Sequence, residues 1–215
     1  MIDTSNLTDR VYLEMRSKII NKELEPGERI NYDLHCEEMG ISPTPLRYAI
    51  NRLQQDGLVE VKPRLGTFVS RPNSKNIMDV YDVRKAVECL ALDLSFDSFS
   101  EQMVDDLLRE VNFASKHLLE DNYQGYFSID RNFHSTIINL SKNNYIFKIM
   151  GSLEYLIQWF SVLTSKNVER PYSSNEQHKE ILFAIQRKDR KKAEELLEEH
   201  IEIAKRTMLE DYGDA

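Results

Sequence analysis

The chain has 215 residues, 41% hydrophobic and 30% charged, and a formal net charge of −8. That length allows one or two domains with real cores, and the acidic balance excludes a protein that coats nucleic acid by charge alone. Cys36 and Cys89 are far apart and match no zinc-finger or redox spacing. The N-terminus is polar without a leader pattern, and no apolar run reaches about 18 residues. The expectation is therefore a cytoplasmic protein that does not cross a membrane.

Residues 7–22 form an amphipathic helix, with Leu7, Val11, Met15 and Ile19 at four-residue steps. Residues 25–28 are a turn, and Arg29-Ile30 a short strand that pairs with a later hairpin. A second helix runs Tyr32–Met39, and Gly40 turns the chain. Thr44-Pro45 reads as the next helix start, Thr as the cap and Pro at the first helical position. Leu46, Ala49, Ile50 and Leu53 then make one apolar stripe. Thr44, Arg47, Tyr48 and Asn51 lie on the other side, a set of groups suited to phosphates and base edges in a major groove. Gly57 ends the helix. Residues 58–61 and 67–69 are two short strands around the turn Lys62-Pro63-Arg64-Leu65-Gly66. Helix, tight turn, helix and wing make a winged helix-turn-helix. Residues 41–72 hold 5 Lys+Arg and 2 Asp+Glu, net +3, whereas residues 1–40 net −4 and residues 73–215 net −7. The recognition helix and wing are thus a small basic footprint on an acidic body.

The words Thr44-Pro45-Leu46-Arg47-x-Ala49-Ile50-x-Arg52-Leu53-x-x-x-Gly57-Leu58-Val59 and Pro63-x-x-Gly66-x-x-Val69 closely resemble the DNA-binding domain of the GntR family of bacterial transcription regulators. The resemblance covers roughly residues 7–71. It implies DNA contacts from Ser42, Thr44, Arg47, Tyr48, Asn51, Arg52, Arg64 and Gly66. Two departures bear on operator sequence and affinity. Pro43 stands where the family usually has an Arg before Thr-Pro, and Leu65 where an Arg often precedes the wing glycine.

Ser70-Arg71-Pro72-Asn73-Ser74 is a polar break, giving domains at 1–72 and 73–215. Beyond it strand signals vanish. Helices are expected at about 76–95, 100–121, 124–141, 144–166, 172–187 and 189–211, with breaks at Ser98–Ser100, Asp121-Asn122, Asn143-Asn144 and Lys188-Asp189. The fold class is mainly α, a winged helix-turn-helix followed by an all-α six-helix antiparallel bundle.

Three histidines of this region fall on apolar helix faces. Asp130 and His134 are four apart on one face with Phe127, Ile137 and Ile138. His178 shares a face with Ile181, Leu182 and Ile185, and His200 with Leu196, Leu197, Ile201 and Ala204. A lone inward histidine is ordinarily a hydrogen-bonded core residue. Three with a carboxylate need a shared partner, because burying them unpaired is costly. A divalent cation satisfies them together, and the donor set suits Zn or Ni, with Mn or Fe also compatible. His35 and His117 get blander readings, His35 against a phosphate and His117 on a solvated face.

Asp130-x-x-x-His134, His178 and His200 are similar to the metal-binding pattern of the FCD effector domain, which follows the DNA-binding domain in the FadR subfamily of GntR regulators. That resemblance covers roughly residues 75–210. It implies a small-carboxylate effector at the metal, gripped by an Arg on the first bundle helix, a role that Arg84 fits. The alternative for Arg84 is an i,i+4 helix pair with Glu88. The whole then reads as a ligand-responsive regulator, a repressor, binding a pseudo-palindromic operator as a homodimer. Two other readings stay open, a DNA binder whose metal is purely structural and a metal-dependent hydrolase. The enzyme reading leaves the basic winged module unexplained, so the chain is expected not to be an enzyme.

Overall fold

A computed structural model of the chain describes residues 7–120, 122–163 and 169–212. Its order is α1 (Leu7–Ile20), α2 (Tyr32–Met39), α3 (Pro43–Gln55), β1 (Val59–Lys62), β2 (Gly66–Val69), α4 (Ser74–Ser95), α5 (Glu101–Leu119), α6 (Tyr123–Leu140), α7 (Asn144–Leu163), α8 (Glu169–Gln186) and α9 (Arg190–Tyr212), with a single 3-10 turn at Phe96–Ser98. The fold is mainly helical with one small sheet. Asp121 of the expected break and residues 164–166 of the expected fourth bundle helix lie outside the described residues. No described helix is long and apolar enough to cross a membrane.

The described residues divide into two compact units, 7–73 with 152–163, and 74–120 and 122–151 with 169–212. In the first unit the apolar stripes of α1 and α3 pack together. Val11, Met15, Ile19, Leu46, Ala49, Ile50 and Leu53 are buried. Asn31 caps α2 by accepting from the backbone N–H groups of Asp33 and Leu34. Gly40 closes it in the left-handed region at φ 62, a conformation that suits glycine. The wing is antiparallel, pairing Val59 with Val69 and Lys62 with Gly66. The expected Arg29-Ile30 strand is a single bridge from Arg29 to Phe68, supported by Ile30 N–H donating to Thr67 O at 2.9 Å.

One local expectation is corrected. Ser42, not Thr44, stands at the N-cap of α3, and its side chain makes no capping bond. Pro43 occupies the first turn ahead of Pro45. Both prolines fit there because neither needs a donor N–H in that turn, so the helix starts earlier and Thr44 is left as an exposed residue of its first turn.

Residues 152–163 of α7 complete the first unit. Trp159 and Phe160 are buried, the Arg16 guanidinium lies 3.7 Å from the Tyr155 ring centroid, and the Leu156 methyls approach Gly57. In the second unit α4 packs on α9 and α6, α5 on α6 and α8, and α8 on α9. Its core includes Ile77, Leu92, Val111, Phe133, Ile137, Ile181, Leu182, Leu197 and Ile201.

Candidate functional site

The helical unit brings its histidines together from three helices. His134 of α6, His178 of α8 and His200 of α9 are all buried, and one nitrogen of each lies within 4.8 Å of the other two. The Nε2 of His200 stands 3.3 Å from the Nε2 of His178 and 3.3 Å from that of His134. Two of the outward nitrogens are held. Glu88 Oε2 lies 2.6 Å from His134 Nδ1, and Gln177 Oε1 lies 2.8 Å from His200 Nδ1. Both acceptors favour the Nδ1–H tautomer, so the Nε2 atoms of His134 and His200 turn lone pairs into the cluster, that of His134 also within reach of the Arg84 guanidinium. Such outer-shell anchoring is how metal-ligating histidines are oriented. Three imidazole nitrogens this close together fit a divalent metal.

Arg84 and Glu88 lie on the same buried face of α4. Arg84 Nε donates to Glu88 Oε1 at 2.6 Å, and Arg84 Nη2 donates toward His134 Nε2 at 3.0 Å. The i,i+4 pair of the alternative reading is therefore present, and that pair is built into the histidine cluster. Asp130 stands at the margin, partly exposed, with Oδ1 3.8 Å from His178 Nε2 and 3.4 Å from the Tyr126 hydroxyl. Glu88 and Gln177 are the contributors that residue spacing does not single out. Their only signals are Glu88's i,i+4 relation to Arg84 and Gln177's adjacency to His178.

Burial dominates the electrostatics. It pushes His178 down to about 3 despite the opposing pull of Asp130, and lowers His200 well below the ordinary imidazole range. Burial alone would raise Glu88, but the Arg84 charge and the hydrogen bonds from His134 and Arg84 outweigh it and hold the carboxyl at about 2. Neutral imidazoles beside an ionised carboxylate are the protonation states a metal centre needs. A pH dependence follows for the metal-free protein. The unfolded chain takes up the His178 proton near 6.5, the folded chain only near 3, so stability falls as pH drops through that interval. Glu88 adds a second loss between 4.5 and about 2. One imidazole alone contributes about 2 kcal/mol of loss from pH 6.5 to pH 5. Urea unfolding of metal-free protein at those two pH values checks this, and equal free energies would refute it.

In the first unit Thr44, Arg47, Tyr48 and Asn51 are exposed on α3, opposite its buried stripe. Ser42 is exposed at the helix start. Arg64 forms the wing tip at φ 65 and Gly66 follows at φ 125, with Arg29 against Gly66. Arg52 differs from the rest. It is ion-paired with Asp9 and lies 3.9 Å from the Tyr12 ring centroid, while Tyr12 donates to Asp56 at 2.7 Å. These contacts tie α1 to α3. His35 is buried against Glu38, 3.3 Å away, which leaves it no approach to a phosphate. His117 packs beside Asn122 at 2.9 Å, edge-on to Phe113, and is only partly exposed.

Comparison with known proteins agrees with this architecture. The family model described as "Bacterial regulatory proteins, gntR family" matches residues 7–69, and the model described as "FCD domain" matches residues 79–203. The HTH-type transcriptional regulator YdhC of Bacillus subtilis is 25% identical over 187 residues, covering 86% of this chain and 83% of that protein. The gluconate operon transcriptional repressor of the same organism is 25% identical over 186 residues, covering 84% and 76%. A GntR transcriptional regulator from Rhodococcus sp. RHA1 has the same fold, with a TM-score of 0.81 at 24% identity over 95% of this chain and 98% of that one. A gntR-type helix-turn-helix that binds DNA, joined to an FCD domain that takes a small-molecule effector, places this chain in the FCD-bearing branch of the gntR family, whose members are transcription regulators and not enzymes.

Proposed function

We propose that this regulator is a repressor that binds a pseudo-palindromic operator as a homodimer and responds to a small carboxylate held at a metal centre. The observation that carries the proposal is the convergence of three Nε2 atoms, two of them on rings anchored at Nδ1, beside a buried guanidinium. His134, His178 and His200 would hold the ion, with Asp130 at the margin as the fourth candidate donor, and Zn or Ni suits the donors best. When bound, such an ion would supply a positive centre that attracts an anionic oxygen. Arg84 then orients the carboxylate, and Glu88 keeps both Arg84 and His134 in place.

The DNA-contacting residues of this reading are Ser42, Thr44, Arg47, Tyr48, Asn51, Arg64 and Gly66. Arg52 is better suited to bracing α3 from behind. Dimerisation is supported by Val83, Leu90 and Leu94 of α4, exposed apolar residues at seven- and four-residue spacing. The repressor assignment is supported by the similarity to the gluconate operon repressor.

A fluorescence-anisotropy titration tests the proposal. Zn-loaded protein is added to the promoter DNA beside its own gene, at two salt concentrations, with acetate, lactate, succinate, citrate or gluconate. The expected result is two chains per duplex, a steep fall with salt, and a shift in affinity with at least one acid. One chain per duplex, or salt-insensitive binding, would overturn the DNA and dimer parts. No response to any acid would favour the second reading, a purely structural metal, which the deep burial of all three histidines also suits.

A further inference from the structure

Tyr81 belongs to the same face of α4 as Arg84 and Glu88, at steps of three and seven residues, and is 1% exposed. Its hydroxyl meets no acceptor among the described residues, its one hydrogen-bonding neighbour being Arg84, which can only donate. A buried donor proton without an acceptor is destabilising, and native chains rarely keep one without a use. The ionised groups that act on this phenol are Arg84, Arg170 and Asp130. The Arg84 guanidinium carbon is 5.4 Å from the ring centroid. Guanidinium groups only donate, so neither arginine can receive the phenol proton. Asp130 is turned to the Tyr126 hydroxyl at 3.4 Å and toward His178 at 3.8 Å. A buried donor without an acceptor therefore stands beside the histidine cluster, where cations already favour an anion.

We propose that the Tyr81 hydroxyl is an effector contact, donating its proton to an oxygen of the bound carboxylate, and that it sets affinity for the effector instead of supporting the fold. This rests on the reading that the site takes a small carboxylate. It also explains why the hydroxyl is kept, because its proton is placed only when an acceptor arrives. Tyr126 is the internal contrast. Its hydroxyl is equally buried within the same unit, but it has Asp130 as an acceptor.

The test compares wild type, Tyr81→Phe and Tyr126→Phe as Zn-loaded full-length proteins. Isothermal titration calorimetry is run with acetate, lactate, succinate, citrate and gluconate, alongside thermal unfolding without any acid. Tyr81→Phe is expected to weaken binding of the best acid about tenfold or more, as for loss of a hydrogen bond to a charged group. Its ligand-free unfolding temperature should match or exceed wild type, whereas that of Tyr126→Phe should fall. Equal affinity of wild type and Tyr81→Phe would overturn the assignment, as would a lowered ligand-free unfolding temperature for Tyr81→Phe. If wild type takes up none of the acids, the underlying carboxylate reading fails, an outcome distinct from equal binding by two competent proteins.

Discussion

Alanine at both His134 and His178 is expected to leave a chain that no longer retains stoichiometric metal and no longer changes its DNA affinity when an acid is added. The two substitutions remove two of the three converging imidazoles. His200 remains with its Nε2 aimed into the cluster and no second nitrogen at 3.3 Å. A single imidazole and a marginal carboxylate do not make a structural or catalytic metal site, for which three or four protein donors are the rule. Operator binding itself should survive, because the exposed face of α3 belongs to the other unit. Elemental analysis of the purified double variant reads the metal, and anisotropy on the operator reads the response. A double variant that keeps an unchanged acid response would sink the metal-centred control.

Glu88→Ala is expected to be the most destabilising single substitution in the helical unit, costing about 3–5 kcal/mol. Glu88 is fully buried and holds two groups at once, Arg84 at 2.6 Å and His134 at 2.6 Å. Its removal strands the Arg84 charge in the core and frees the His134 ring. Domains of this size have total stabilities of about 5–15 kcal/mol, so the loss should be visible as a shifted urea midpoint. Glu88→Gln keeps the shape and one acceptor, and should fall between wild type and alanine. If Glu88→Ala unfolds within about 1 kcal/mol of wild type, the buried pair does not support the fold in the way described, since that is the scale of an exposed pair.

Much of this site was legible in sequence because helices make faces from spacing. His134 with Ile137 and Ile138, His178 with Ile181 and Leu182, and His200 with Leu197 and Ile201 each announce an inward stripe, and a bundle leaves few places for three such stripes to meet. The second oxygen of Glu88 was not legible. Its bond to His134 spans 46 residues, and no local pattern distinguishes it from an ordinary surface partner of Arg84. The lack of an acceptor for the Tyr81 hydroxyl is likewise a property of packing and not of spacing. The start of α3 was misread by two residues because Ser42-Pro43 and Thr44-Pro45 are equally good openings, and only the packing of Pro45 and Leu46 into the core decides between them. The division of α7 between the two units was hidden for a different reason. From Tyr145 to Leu163 the helix is apolar almost all round, so no stripe marks which neighbour each part will meet.

That division has a practical consequence. Trp159 is the single tryptophan of the chain. It lies in the part of α7 that joins the first unit, is 1% exposed, and its indole N–H has no acceptor among the described residues. An indole in a dry, unbonded environment emits toward the blue, and it shifts to the red once water reaches it. Intrinsic fluorescence therefore samples one place in this protein, the seat of residues 152–163 on the DNA-binding unit, without a label or a mutation. A spectral change on adding metal or an acid would be a signal from that seat alone.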